Sequence, residues 1–170
     1  MSNEEIIKIE TVLREHENRI EKLESILGQG KEKLTKEIGF DIEKCIENLS
    51  TDAGITKERL RCIFDFEKED LNLITTFAGK KEAQKQFKAT VCILTAYHCC
   101  YGRDEIRSQD LRKKLEWLGI KSLGNISASF ANYKQFILPK GKAKSPKFSY
   151  KITYPGIKKG LEIIKELAIA

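Results

Sequence analysis

The sequence predicts a mostly helical fold that closes with a short β-hairpin and one further helix. Apolar residues recur at helical spacing through most of the chain, while a clean alternation of apolar and polar residues marks residues 148–154. The charge is also uneven: residues 81–170 contain 18 Lys and Arg against 7 Asp and Glu. The chain therefore divides into an acidic first half and a basic second half.

The uneven charge favours a polyanion as partner. No carboxylate stands between Glu116 and Glu162, yet nine lysines lie in that interval. Such a block creates a positive field over one part of the surface. A lysine-rich solvated surface is the alternative, but a solvated surface usually interleaves both signs. We therefore favour nucleic acid as the partner of the basic half.

Length and composition set the class of protein. A chain of 170 residues, 41% of them hydrophobic, suits one moderate domain or two small ones. No apolar run reaches the roughly 18 residues of a transmembrane helix, and the acidic N-terminus does not look like a signal peptide. We expect a soluble cytoplasmic protein, associated with the nucleoid, that makes no membrane contact.

Residues 1–28 have the pattern of a coiled coil. Apolar residues fall on alternating steps of three and four, with His16 as the one polar member of the seam. A stripe this narrow needs a partner helix, so we expect a homodimer; an intramolecular hairpin with a later helix is the alternative. The seam consists of Ile6, Ile9, Leu13, Ile20, Leu23 and Leu27.

Residues 31–78 predict a small acidic helical module. An amphipathic helix runs to about Leu49, polar residues and Gly54 interrupt it, and Thr56 is a natural N-cap for a second short helix. Alternation after Leu71 predicts a short strand or an extended link. The pair resembles a helix-turn-helix, but its negative charge disfavours DNA, so we interpret it as a packing or adaptor module that could hold a protein partner.

The basic half begins with a long helix from Lys80. This helix is apolar nearly all round after Ala89, which is typical of a buried central helix, and Gly102 ends it. Ser108 is expected to cap a second helix that stops at Gly119. Its three consecutive basic residues, Arg112, Lys113 and Lys114, are expected to point outward.

A third helix is predicted over about residues 124–135. Its inner face is Ile126, Phe130, Tyr133 and Ile137, and its outer face is small and rich in amides. Asn and Gln can pair with adenine, and Ala methyls can touch a thymine methyl. The alternative is packing against another protein surface. The outer face carries Gly124, Ala128, Ala131, Asn132 and Gln135, with Asn125 and Ser127 flanking it and Lys134 at its edge.

A β-hairpin and a final helix complete the chain. Residues 136–138 form a short apolar strand, "PKGKAKSPK" is a loop with four lysines, and residues 148–154 form the second strand. Pro155 can start the last helix, whose inner face is Ile157, Leu161, Ile164 and Leu167.

The order helix, helix, helix, hairpin, helix over residues 80–168 resembles winged helix-turn-helix DNA-binding domains, particularly small archaeal-type regulators. The residues that carry the resemblance are "RSQDLRKKLEWLGI", "LGNISASFANYKQFIL" and "PKGKAKSPKFSYKITYPGIKKGLEIIKEL". The resemblance makes residues 80–170 a winged-helix domain. It implies that the third helix enters the major groove and that the Lys-rich wing lies on the DNA backbone or in the adjacent minor groove.

Carried onto this sequence, the resemblance assigns base reading and phosphate contacts. Base reading would fall to Asn125, Ala128, Asn132 and Gln135. Phosphate contacts would fall to Lys121, Lys134, Lys140, Lys142, Lys144 and Lys147, and Ser127 and Lys151 complete the expected DNA-binding surface. The predicted third helix contains no Arg, which suggests A/T-leaning or shape-based recognition.

The sequence offers no catalytic constellation. Five cysteines without a secretory signal disfavour a disulfide framework. His98, Cys99 and Cys100 are adjacent on a helix, so their side chains point about 100° apart and cannot converge on one metal ion. We expect no enzyme activity, no cofactor and no bound metal.

The sequence thus predicts a dimeric double-stranded DNA-binding protein, either a transcriptional regulator or a DNA-organising protein. The alternative is a winged-helix adaptor that binds protein partners through the coiled coil and the acidic module. RNA binding is a weaker third hypothesis, because Phe148, Tyr150 and Tyr154 look like core residues and not like a stacking platform.

Overall fold

The structure is a computed structural model that describes residues 41–67, 70–77, 81–142 and 145–169. These residues belong to one compact unit that begins at Asp41. The predicted coiled coil, with its seam of Ile6, Ile9, Leu13, Ile20, Leu23 and Leu27, lies outside the described residues. So does the predicted homodimer contact, together with the first part of the 31–78 module.

Within the described ranges, the acidic half contains two helices and a pair of antiparallel strands. Thr56 caps the second helix by accepting a hydrogen bond from the Arg59 amide, as the sequence predicted. The first helix continues past Leu49 and ends only at Gly54 in the left-handed conformation. The Ser50 hydroxyl donates to the Ile55 carbonyl, and the Thr51 hydroxyl donates to the Glu47 carbonyl. The elements are α1 (Ile42–Ala53), α2 (Lys57–Ile63), β1 (Phe64–Phe66) and β2 (Leu71–Leu73), with β1 and β2 antiparallel.

The basic half alternates helices with three strands. Its elements are α3 (Glu82–Tyr101), β3 (Glu105–Arg107), α4 (Ser108–Trp117), α5 (Ile126–Ser129), β4 (Ile137–Lys140), β5 (Ser149–Ile152) and α6 (Tyr154–Ile169). Gly102 ends α3 in the left-handed conformation, as predicted. The described part of the chain is therefore mostly helical, with two small antiparallel sheets.

Strand β5 is the centre of the larger sheet. β3 pairs on one side of it and β4 on the other, both antiparallel, so Tyr150 lies opposite Ile106 and also opposite Pro139. The sequence predicted the β4–β5 hairpin but not β3. The sheet is consequently one strand wider than the expected wing.

The prediction of a single helix over about residues 124–135 was wrong. The chain instead makes a 3₁₀ turn at Leu123–Asn125, one turn of α-helix in α5, and a second 3₁₀ turn at Ala131–Tyr133. Neither turn nor α5 has a side-chain cap, and short Ser and Asn side chains favour turns over helix interiors. The apolar spacing still holds, because Ile126 and Phe130 are buried.

One hydrophobic core spans both halves of the described chain. All nine residues of α3 from Ala89 to Tyr97 are buried, which confirms the prediction of a central buried helix. Helices α1 and α6 and strand β2 all contact α3, and α2 also contacts α6. The two sides of the boundary expected near residue 80 therefore share a core.

Lys114 joins the acidic hairpin to the basic half. The sequence placed it on the solvent side of α4, which was wrong, because its side chain is only 9% exposed. Its ammonium lies 2.7 Å from Asp70 Oδ1, 2.8 Å from the Leu71 carbonyl and 3.0 Å from Asn72 Oδ1. All three donors are thus satisfied, which offsets the cost of burying the charge.

Asp70 is held ionised by the same contacts. Burial by itself raises the pKa of this carboxyl, but hydrogen bonds from Lys114 and Tyr97 outweigh it and leave the pKa below its usual range.

Cys45 on α1 and Cys100 on α3 form a disulfide, which the sequence analysis did not expect. The two cysteines lie 55 positions apart in the chain, so no local spacing pattern predicts that they pair. Cys62, Cys92 and Cys99 are free thiols.

The disulfide should raise the melting temperature of the oxidised protein. Closing a loop of 55 residues restricts the unfolded chain by about 4 kcal/mol in the loop-entropy model. We expect Cys100→Ser, or a reductant, to lower the melting temperature, and the exposed Cys62→Ser to leave it unchanged. Equal melting curves with and without reductant would mean that the bond does not form in solution.

Gly160→Ala should destabilise the fold, because α6 touches α3 at this glycine. A Cβ there would lie 2.7 Å from Thr95 Cβ and 3.0 Å from the Val91 carbonyl oxygen. We expect a loss of about 1–3 kcal/mol in the free energy of unfolding, measured by urea denaturation. Gly124→Ala is the matched control, since no atom lies within 4 Å of its Cβ position. A neutral Gly160→Ala would contradict this helix contact.

Candidate nucleic-acid interface

The register of the larger sheet decides which side chains face away from the core. Ile106, Ile137, Tyr150 and Ile152 are buried, and residues directly opposite on neighbouring strands share a face. The alternate positions must therefore lie on the outward face. These positions are Glu105, Arg107, Leu138, Lys140 and Lys151, together with Ser149, which is itself buried by its neighbours.

Glu105 is the acidic member of this outward face. Its carboxylate accepts hydrogen bonds from Lys140 Nζ at 2.7 Å and from Ser149 Oγ at 2.5 Å, and these two bonds lower its pKa. Arg107 and Lys151 form no ion pair with any residue that the structure describes. The face is therefore net positive, although Lys140 is locally neutralised.

The predicted base-reading residues are solvent-exposed. Asn125, Ala128, Asn132 and Gln135 all lie on the surface of the segment 121–135, and so does Ser127. The Ser127 hydroxyl lies 2.8 Å from the hydroxyl of Tyr150, which is itself fully buried. This bond fixes the segment to the central strand of the sheet.

Lys121 and Lys134 flank the same segment and are also exposed. The Lys121 backbone is anchored to α3, since its amide donates to Glu82 Oε2 at 3.0 Å and its carbonyl accepts from Gln86 Nε2 at 2.9 Å. Its side chain is left at the surface. The start of the segment is thereby held in place while its lysine remains available.

The tip of the β4–β5 hairpin presents further lysines. Lys142 and Lys147 are exposed, and Lys144 lies outside the described residues. The turn is closed by hydrogen bonds from the Ser145 amide to the Lys142 carbonyl and from the Phe148 amide to the Ser145 carbonyl. Gly141 has φ 90°, a conformation that only glycine adopts readily, so the chain can bend just after β4.

Aromatic side chains pack together beneath the segment 121–135 and beside the β4–β5 hairpin. Tyr150 contacts Phe130 and Phe148 edge to face, with ring centroids 5.1 and 5.3 Å apart.

Tyr154, which the sequence assigned to the core, is instead 69% exposed, and the Lys158 ammonium lies 4.8 Å from its ring centroid. Strand β5 ends at Ile152, so Tyr154 already belongs to α6.

The end of α3 offers little metal or thiol chemistry. His98 Nδ1 lies 2.5 Å from Asp104 Oδ1, and Cys100 is in the disulfide. Burial, with Asp52 nearby, raises the pKa of Cys99 to about 12, so this thiol is a poor nucleophile at neutral pH. Across the described ranges, no group of His, Cys, Asp and Glu is arranged to hold a metal ion.

Glu105 and Arg107 belong to the outward face of the larger sheet, although the sequence did not predict them there. Three alternating residues between Gly102 and Ser108 are too few to predict a strand. Only pairing with β5 places them beside Lys140 and Lys151.

Comparison of the chain with protein-family models, with curated proteins and with solved structures gave no match. Within the described ranges, no helix is both long and apolar enough to span a bilayer.

Glu105→Gln should lower stability at neutral pH but not in acid. The lowered pKa of Glu105 means that its contribution is present above the ordinary carboxyl range and is lost as the pH falls through the folded-state pKa. Because the side chain is 37% exposed, we expect a loss of only about 1 kcal/mol near pH 7. Urea denaturation at neutral and acidic pH measures it; a loss that persists in acid would contradict this origin.

Proposed function

We propose that the protein binds double-stranded DNA through a basic surface of its second half. The basic surface comprises the segment 121–135, the tip of the β4–β5 hairpin and the outward face of the larger sheet. The observation that carries the proposal is that every described lysine of this surface is exposed, in a stretch of sequence that contains no carboxylate. These lysines are Lys121, Lys134, Lys140, Lys142, Lys147 and Lys151.

The order of the elements supports this proposal. From α3 to α6 the chain alternates a helix, a strand, a second helix, a short helical segment, a hairpin and a closing helix. This is the order in which the sequence resembles winged helix-turn-helix domains, with β3 as an added strand beside the wing. In that arrangement the segment 121–135 approaches the major groove, and the hairpin contacts phosphates.

The short helical segment bears on specificity. Four residues of α5 offer few side chains to a groove, and the segment carries Asn125, Asn132 and Gln135 but no Arg. Lysines along the hairpin can neutralise phosphates in any sequence. We therefore infer that phosphate contacts supply most of the affinity, and that sequence preference is modest and favours A/T pairs.

Dimerisation remains part of the proposal. Residues 1–28 would pair two chains and present two basic surfaces to one duplex. Both transcriptional regulation and DNA organisation use such a design, and a modest sequence preference favours the organising role.

Charge reversal on the hairpin should abolish most of the binding. Fluorescence anisotropy with duplex DNA, from about 50 to 300 mM salt, should give a log–log slope of roughly −4 to −5 per subunit. Lys142→Glu with Lys147→Glu should weaken binding about tenfold or more near 100 mM salt and reduce the slope by about 2.

The matched control is Lys44→Glu with Lys165→Glu. It changes the net charge equally at exposed positions of α1 and α6, outside the basic surface. An equal loss of DNA affinity in both double variants would mean that net charge, and not the position of the lysines, causes the effect. No binding at the lowest salt would overturn the proposal and favour the adaptor hypothesis.

A further inference from the structure

A groove with a volume of about 650 Å³ lies between α4 and the residues 103–107. Its base is formed by Asp70, by Asn72 of β2 and by Tyr97 of α3. Small-molecule sites in proteins typically have volumes of about 300–1,000 Å³. The groove is therefore large enough for a metabolite. It shares Glu105 and Arg107 with the outward face of the larger sheet, but it shares no residue with the segment 121–135 or the hairpin tip.

The charges at the base of the groove cancel one another. Lys114 is bonded to Asp70, and Tyr97 donates a hydrogen bond to the same carboxylate. Glu105, at the wall, is bonded to Lys140 and Ser149. The charges of Asp70, Lys114 and Glu105 are therefore already neutralised within the protein and do not attract a charged ligand.

The rim has an excess of positive charge. Arg103, Arg107 and Lys113 line the groove and are exposed, and none of them forms an ion pair with a residue that the structure describes. The Arg103 guanidinium lies 5.6 Å from the Tyr101 ring centroid. Asp110 opposes one of the three cations. The rim thus retains about two positive charges for an anionic ligand.

Trp117 adds an aromatic surface beside these cations. It is the one tryptophan in the sequence, it is 60% exposed, and it lines the groove. Asp110, Lys113 and Trp117 follow one another at three- and four-residue steps, so they share one face of α4. An exposed indole that lines the same groove as cations without ion-pair partners among the described residues fits a ligand with both a flat ring and an anionic group.

We propose that this groove binds a nucleoside monophosphate. The guanidinium of Arg103 and the ammonium of Lys113 would hold the phosphate, and the base would stack on the indole of Trp117. The carboxylate of Asp110 can accept hydrogen bonds from sugar hydroxyls, which gives it a role in spite of its charge. The three residues that would contact the nucleotide, Arg103, Lys113 and Trp117, lie outside the basic surface, although Arg107 and Glu105 belong to both the groove and that surface.

Trp117 makes binding directly measurable. Titration of the full chain with adenosine monophosphate should change the indole fluorescence and reach saturation. Adenosine and inorganic phosphate each lack one half of the ligand, so each should bind at least about tenfold more weakly. Arg103→Ala and Lys113→Ala should each weaken nucleotide binding about tenfold, while Lys165→Ala on α6 should not change it.

A second measurement tests the stacking partner itself. Equilibrium dialysis should show that Trp117→Ala loses about tenfold in affinity for the nucleotide while the variant keeps its duplex binding and its melting temperature. If the groove does not bind the nucleotide, the proposal of duplex binding is unaffected, because the hairpin lysines are proposed to bind the DNA.

Three results would overturn the proposal. The first is a fluorescence signal that does not saturate with adenosine monophosphate at millimolar concentration. The second is inorganic phosphate binding as tightly as the nucleotide, which would mean an anion site without base stacking. The third is binding of a short single-stranded oligonucleotide but not of the free nucleotide, which would assign the groove to a nucleic-acid strand.

Discussion

The burial of α3 on all sides is the constraint on which the rest of the described structure depends. From Ala89 to Tyr97 no face of this helix reaches solvent, so it needs cover in every direction. The acidic half supplies α1 and β2, and the C-terminal end of the chain supplies α6, which can approach closely only because residue 160 is glycine. The two halves differ in charge, but neither could bury α3 alone.

The link between Lys114 and Asp70 is the polar counterpart of that core. An ammonium that is almost buried must find all its partners, and it finds three of them on the residues 70–72. This arrangement holds the acidic hairpin against α4. It also fixes the base of the groove and leaves Arg103, Lys113 and Trp117 at its rim.

Local signals predicted some elements well and others not at all. The long helix α3, the N-cap at Thr56 and the β4–β5 hairpin depend on periodicity, capping and turn residues, all of which act over a few positions. Strand β3 is too short to have a period and exists because β5 pairs with it. The helix expected over 124–135 had the right apolar spacing, but its Ser, Asn and Gly residues break it into turns.

The sequence by itself determined where the charge lies and which helix faces are apolar, because net charge and apolar spacing are properties of the chain in order. The exposure of Asn125, Asn132 and Lys151 follows from that apolar spacing. Only the tertiary structure decided which distant residues meet. The Cys45–Cys100 disulfide, the burial of Lys114 and the joining of Glu105 to Lys140 each connect positions at least 35 residues apart, and no local pattern encodes such contacts.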